Sequence, residues 1–170
     1  FMFFTDADVE PAPNIIVHKM KFGDFREIVQ SAFDFPIVLD RPYKLCEYKQ
    51  AYGYILKDFI RDYDFWGYGD VDLVYGDIRH FLTDDILQSY LFFLGEGHLS
   101  LLRNNQDATT YFMKIEPGYQ DYHNAFTTTN ITFFDEFGYK GCGDKWRDCR
   151  PQDYWDERPY DNISKPKKAY

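Results

Sequence analysis

Short apolar runs that stop abruptly at acidic residues limit the folds open to this chain. Residues 63–77 read YDFWGYGDVDLVYGD, an aromatic run followed at once by Asp70 and Asp72. A short apolar run bounded by glycine and acidic residues is typical of a buried β-strand. Ligands of open α/β sheets bind beyond the carboxyl ends of the strands, so acids in this position are candidates for a binding site.

Similar apolar runs alternate with amphipathic segments along the chain. The patterns predict strands over 1–4, 15–20, 65–68 and the start of 131–141, two short strands around Gly95 and Gly97, and helices over 23–33, 41–60, 77–90 and 106–115. This alternation implies an α/β fold with a mostly parallel sheet flanked by helices. We expect one domain over 1–150 and an irregular tail over 151–170, where proline and charge replace periodicity.

The helix expected over 41–60 carries an apolar stripe at three- and four-residue steps, with Lys44 and Glu47 largely off that stripe. Pro42 suits the first turn of such a helix. Gly53 in its middle costs up to about 1 kcal/mol relative to alanine, which indicates a close packing contact.

Charge and cysteine usage exclude several classes of protein. The formal charge is −9 and no basic stripe is visible, which argues against a nucleic-acid partner. No apolar run approaches the roughly 20 residues that span a bilayer. The three cysteines, at positions 46, 142 and 149, form no CxxC, which argues against structural zinc and for free thiols in the cytoplasm. The basic segment 164–170 is the candidate for peripheral contact with the inner face of the membrane.

Asp70 and Asp72 suit a divalent cation. If the chain stays extended after the strand, both side chains point the same way, with Cα atoms about 6.6 Å apart. Mg²⁺ and Mn²⁺ prefer such oxygen ligands, and a diphosphate needs the ion because each close like-charge pair costs about 4 kcal/mol at an effective dielectric of 20. The triplet alone is a weak signal, since acids in a glycine-rich turn are common. Asp77 is expected to cap a helix that begins at Ile78.

Four segments in a fixed order strengthen the DxD signal. They read RPYKLCEYKQAYGYIL, YDFWGYGDVDLVYGDIRHFL, GHLSLLRN and FFDE, and they resemble a family of DxD-containing bacterial glycosyltransferases of capsule and lipopolysaccharide assembly. In that family the segment before DxD usually reads KPAYG, whereas Gln50 replaces the proline here. The resemblance implies a GT-A-like, Rossmann-like fold, and we expect the family's first strand–helix unit to be missing from this chain.

The resemblance also implies a donor site. The enzyme would move a sugar from a nucleotide-sugar donor, above all a UDP-sugar, to a glycan acceptor. Asp70 and Asp72 would hold Mn²⁺ or Mg²⁺ and the diphosphate, and Lys49 would face the donor phosphates. The strand end with Thr5, Asp6 and Asp8 would contact the base or the ribose.

The acceptor side is implied by the later segments. His98, Arg103 and Asn104 are candidates for binding acceptor hydroxyls. Asp135 and Glu136 are candidates for the general base that an inverting transferase needs, with Asp135 preferred. A retaining enzyme needs no such base, and the stereochemistry stays open.

Two other functions remain open from the sequence. A non-catalytic module on the same fold could bind a glycan or a partner through its many aromatic residues, which make up 21% of the chain. A metal-dependent phosphohydrolase ranks lower, because the His-rich clusters common in two-metal sites are missing. Structural roles for Lys49 and His98, and a solvated loop for Asp6 and Asp8, stay open as well.

Overall fold

The computed structural model describes residues 1–89, 92–96, 98–114 and 121–137. The strands are β1 Met2–Thr5, β2 Ile16–Lys19, β3 Phe65–Gly69, β4 Phe92–Glu96 and β5 Leu99–Arg103. The α-helices are α1 Phe22–Ser31, α2 Tyr52–Ile55, α3 Lys57–Ile60, α4 Ile78–Phe81, α5 Asp84–Ser89, α6 Gln106–Thr109, α7 Tyr122–Thr127 and α8 Phe134–Phe137. Two 3-10 helices span Pro42–Ala51 and Tyr111–Met113. The tail predicted for 151–170, Cys142 and Cys149 lie outside these residues.

The described strands form two small sheets. β1 and β2 pair in parallel, with Met2 opposite Ile16 and Thr5 opposite Lys19. The second sheet has the order β3-β5-β4, and both of its pairings are antiparallel. The predicted α/β class is confirmed, but the expected parallel pairing holds only for β1 and β2. Two residues separate β4 from β5, and so short a connection joins only antiparallel strands.

The helix predicted over 41–60 is broken into three pieces. The 3-10 helix Pro42–Ala51 comes first, followed by the short helices α2 and α3. A 3-10 helix has three residues per turn, which aligns Lys44, Glu47 and Gln50 on one face. That face is inward: Lys44 and Glu47 are 0% exposed and Gln50 is 1% exposed. The expectation that Lys44 and Glu47 lie off the buried stripe is therefore wrong, because it assumed the α-helical period.

The main core lies between α1, the long 3-10 helix, the short 3-10 helix, α7 and α8. Tyr48 is fully buried and stacks on Phe126, with ring centroids 4.2 Å apart. A smaller cluster holds Trp66 and Tyr68 of β3. A Cβ atom on Gly53 would lie 2.2 Å from the Trp66 ring, so the predicted packing reason for this glycine is confirmed.

The strand predicted at the start of 131–141 is not formed. Residues 131–133 are irregular and α8 follows, while residues 138–141 lie outside the described part of the chain. Side chains of the long 3-10 helix bind backbone groups of this segment, which leaves those groups unavailable to a sheet partner. Phe133 has a φ of 58°, a left-handed conformation that fixes the bend before α8.

Candidate functional site

The carboxyl end of β3 places Asp70 next to the start of β5. The Asp70 amide donates to the His98 carbonyl oxygen at 2.9 Å, which extends the β3–β5 ladder by one bond. The Tyr75 hydroxyl lies 2.8 Å from the Asp70 carbonyl oxygen and 3.2 Å from that of His98. A Cβ on Gly69 would lie 2.3 Å from the same hydroxyl, so a side chain there would displace the Tyr75 hydroxyl from these contacts.

The Asp70 carboxylate joins two cationic or polar side chains. Its Oδ1 lies 3.0 Å from Lys49 Nζ, and its Oδ2 lies 3.0 Å from His98 Nδ1. Burial alone would raise the pKa of Asp70, but the hydrogen bonds from His98 and Lys49 and their charges outweigh it and hold the pKa below its usual value. Asp70 is therefore an ionised carboxylate at neutral pH.

Lys49 connects Asp70 to Asp135. Its Nζ lies 3.3 Å from Asp135 Oδ2, so a single ammonium contacts a carboxylate just after β3 and another from α8. Burial opposes the charge on Lys49, but the hydrogen bonds and charges of the two aspartates outweigh it and raise the pKa. Lys49, Asp70, His98 and Asp135 are called the Asp70 cluster below. The sequence singled out all four residues, and the structure brings them together.

A second set of side chains holds the segment that carries Asp135. Glu47 Oε1 accepts from the amides of Thr132 and Phe133 at 3.0 and 2.9 Å, and its Oε2 accepts from the Thr132 hydroxyl. Gln50 Nε2 donates to the carbonyl oxygens of Phe134 and Asp135 at 2.8 and 3.2 Å. These bonds fix α8 against the long 3-10 helix, and they position Asp135 beside Lys49.

Lys44 completes this second set. Its Nζ donates to the Asn130 carbonyl oxygen and lies 3.8 Å from Glu47 Oε2. Lys44, Glu47 and Gln50 are called the clamp below. Sequence reasoning missed the clamp as a functional element. The polar residues at three-residue steps after Pro42 were the available signal, because a 3-10 helix places them on one face.

Asp72 lies outside these contacts. β3 ends at Gly69 and residues 71 and 72 form a turn, so the extended arrangement expected for Asp70 and Asp72 does not occur. The pKa of Tyr75 is raised by burial and then by the charges of Asp70 and Asp72. Both carboxylates therefore act on the same hydroxyl. An exposed Asp72 two residues after a partly exposed Asp70 is compatible with Mg²⁺ or Mn²⁺, since Mg²⁺ keeps several waters and takes one or two protein carboxylates.

Another group of metal-ligating atoms lies on the inner side of the Asp70 cluster. Within the described residues, ligand atoms of Cys46, Glu47 and Asp135 lie within 4.8 Å of one another. Cys46 is a free cysteine, as predicted, and burial with the nearby charges of Asp135 and Glu47 raises its pKa to about 11. A neutral thiol and a carboxylate already bonded to two amides are poor ligands, so this group fits a metal less well than Asp70 and Asp72.

The predicted base or ribose contacts lie apart from the Asp70 cluster. Lys19 closes their loop by binding the carbonyl oxygens of Asp6 and Ala7 and a carboxylate oxygen of Asp8, and the Thr5 hydroxyl accepts from the Ala7 amide. At the opposite end of β1, Phe1 stacks on Tyr75 with centroids 5.8 Å apart. At about 3.3 Å per residue, Thr5 lies about 13 Å further along the strand.

Arg103 and Asn104 lie at the other end of β5 from His98. Arg103 donates to the Leu87 carbonyl oxygen at 2.6 Å and stands over the Phe65 ring. Asn104 Nδ2 donates to the carbonyl oxygens of Ile60 and Tyr63. These contacts stabilise the fold, and the substrate-binding role of both residues stays a prediction. Glu136 belongs to α8, but its side chain lies outside the described part of the structure.

The Asp70 cluster combines the groups that bind a cation with those that bind an anion. Two carboxylates can attract a divalent ion, and an ammonium and an imidazole can pair with phosphate or donate to a hydroxyl. His98 is 77% exposed at its side chain, so the cluster is reachable from solvent on that side. None of the described helices has the length and apolarity needed to cross a membrane.

Comparison with known proteins identifies the family but no activity. No curated protein and no solved structure gives a match. A family model does match, and it extends over residues 1–170. The chain therefore belongs to DUF6625, a family of unknown function.

Proposed function

We propose that this protein is a metal-dependent glycosyltransferase of GT-A-like architecture that uses a nucleotide-sugar donor. The supporting observation is the convergence of Lys49, Asp70, His98 and Asp135 from four separate segments into one cluster. Two carboxylates, an ammonium and a solvent-exposed imidazole are the side chains needed to bind a metal-complexed diphosphate and a hydroxyl acceptor.

Asp70 and Asp72 are the proposed cation ligands. When bound there, Mg²⁺ or Mn²⁺ would neutralise the diphosphate that leaves with the nucleotide. The Lys49 ammonium and an N–H of the His98 ring favour binding of the donor phosphates. Both side chains contact the Asp70 carboxylate, so they lie next to a proposed cation ligand.

Asp135 is the proposed base on the acceptor side, with Glu136 as its neighbour. The Asp135 side chain is 9% exposed and the clamp holds its backbone. A fixed carboxylate with little access to water is well suited to orient and deprotonate a bound hydroxyl. The acceptor is proposed to be a surface glycan, with the reaction at the cytoplasmic face of the membrane.

The test is nucleotide release from a panel of nucleotide sugars in the presence of MnCl₂. We expect the protein to hydrolyse or transfer at least one donor, UDP-sugars first among them. Asp70→Asn and Asp72→Asn should each lower the rate by about 100-fold or more, since removing a metal ligand removes transition-state charge stabilisation. Asp62→Asn is the matched control, because Asp62 is an exposed aspartate outside the cluster. Metal-independent turnover, or full activity of the Asp70 variant, would contradict the proposal.

A non-catalytic glycan- or partner-binding module is the second candidate, and one observation favours it. The turn after Asp70 exposes Val71 by 85% and Val74 by 100%, with Leu73 between them also exposed. Three exposed apolar side chains within four residues of a surface turn are typical of a contact surface. Calorimetry separates the two functions: glycan binding with no response to Mn²⁺ or nucleotide supports the module and rejects the transferase.

A further inference from the structure

The place of Lys49 in the Asp70 cluster is that of a built-in counter-ion. Its Nζ lies 3.0 Å from an Asp70 oxygen and 3.3 Å from an Asp135 oxygen, and its side chain is only 18% exposed. One carboxylate directly follows β3 and the other belongs to α8, far away in sequence, and within the described contacts this ammonium joins them. A cation that approaches Asp70 from solvent therefore meets a carboxylate that is already neutralised.

We propose that Lys49 competes with the divalent cation for Asp70 and thereby makes cation and diphosphate binding cooperative. This inference rests on the proposed function. A lysine ammonium is a compact charge on a flexible four-carbon stem, so it can leave one anion and reach another without backbone movement. The backbone of the long 3-10 helix stays in place, because the clamp holds it against residues 130–135.

The competition has a direction that a simple ligand role for Lys49 does not predict. A positive charge within hydrogen-bonding distance of Asp70 weakens the attraction of that carboxylate for a second cation. Displaced from Asp70, the ammonium becomes available to a phosphate group. Each ligand then favours the state that binds the other, and by linkage the effect is equal in both directions.

The experiment measures binding of Mn²⁺ alone, by electron paramagnetic resonance or calorimetry, to the whole chain and its variants. Lys49→Met keeps the length of the stem and removes the charge, and it should bind Mn²⁺ at least tenfold more tightly than the unaltered protein. Lys57→Met is the matched control, because Lys57 is exposed on the neighbouring α3 and should leave the affinity within twofold. Lys49→Arg keeps the competing charge and should not tighten binding. Asp70→Asn should abolish Mn²⁺ binding, whether it is made in the unaltered protein or together with Lys49→Met.

The second measurement repeats the Mn²⁺ titration with saturating uridine diphosphate. The nucleotide should tighten Mn²⁺ binding at least tenfold in the unaltered protein, and Lys49→Met should lose most of that coupling. If Lys49→Met unfolds at a lower temperature, Lys49→Gln replaces it in both titrations.

Two failures are distinguishable. Equal Mn²⁺ affinities for the unaltered protein and the Lys49 variants overturn the competition and leave the proposed cation site standing. Mn²⁺ binding by none of the proteins, Lys49→Met included, overturns the cation site and the inference together.

Discussion

Two lysines of the same 3-10 helix, Lys44 and Lys49, each pair with carboxylates, and the surroundings of the two pairs differ. In the clamp, Lys44 and Glu47 are 0% exposed, and backbone groups of residues 130–133 take up their hydrogen bonds. In the Asp70 cluster, the Lys49 ammonium contacts the side-chain carboxylates of Asp70 and Asp135, and Asp70 is 28% exposed. The first group is completed by the chain itself, whereas the second keeps partners that another ion can replace.

The difference shows how to separate structural from functional charges in this protein. A buried pair that loses one member leaves an uncompensated charge, so its removal acts mainly on stability. A partly exposed pair is screened by water, so its removal acts weakly on stability and strongly on what binds there. Three variants test this separation, in addition to the binding and activity measurements above.

The largest effect is expected for Glu47→Ala. The change leaves the buried Lys44 charge without its counter-ion and the amides of Thr132 and Phe133 without their acceptor. The free energy of unfolding should therefore fall by about 3–5 kcal/mol. Urea denaturation followed by circular dichroism measures it. Glu27→Ala, on the exposed face of α1, is the control and should stay within about 0.5 kcal/mol of the unaltered protein. A clamp variant no less stable than that control would show that the buried pair contributes nothing.

A smaller effect is expected for Thr132→Val, which removes a hydroxyl that donates to Glu47. A hydrogen bond to a charged acceptor contributes about 1.5–3 kcal/mol, and valine keeps the branched shape. The same urea titration should show a loss in that range. Thr127→Val removes an exposed hydroxyl that donates to the His123 carbonyl oxygen of its own helix, and its smaller loss provides the comparison. Equal losses in the two threonine variants would contradict a special role for the Glu47 contact.

The smallest effect on stability is expected for Asp70→Asn, about 1 kcal/mol at pH 7, because Asp70 is partly exposed. The folded-state pKa of Asp70 is below its ordinary value of 3.8. Its contribution is therefore present above that value and is lost as the pH falls through the lower, folded-state pKa. The stability difference between the unaltered protein and the variant should vanish in that range. A difference that persists at lower pH, or a matching loss in Asp62→Asn, would speak against the ion pair as its source.

The members of the Asp70 cluster could be singled out from the sequence because they stand in recognisable segments. Asp70 ends an apolar strand, and the ordered segments resembling a known family singled out Lys49, His98 and Asp135. Local pattern is enough to place a residue at a strand end. It is not enough to place Thr5 or Arg103 relative to Asp70, because both distances depend on how the strands pair and how the two sheets are arranged.

The sequence patterns did not predict the clamp or α8, and the reason is different. Lys44 and Glu47 look like surface residues when the helix is assumed to have 3.6 residues per turn, and ten residues of 3-10 helix are uncommon. The apolar residues before Asp135 read equally well as a short strand or a buried helix start. Side-chain bonds from Glu47 and Gln50 decided between them, and Gln50 stands where the resembled family has a proline that lacks such an amide.

The 3-10 geometry of the long helix also sets the angle between Lys44 and Lys49 around the helix axis. From Lys44 to Lys49 the chain makes five steps of about 120°, whereas five α-helical steps are of about 100° each. Rewinding Pro42–Ala51 as an α-helix would therefore rotate Lys49 by about 100° relative to Lys44. The buried pair and the Asp135 contact cannot both survive that rotation, so the interior charges set the direction in which Lys49 points.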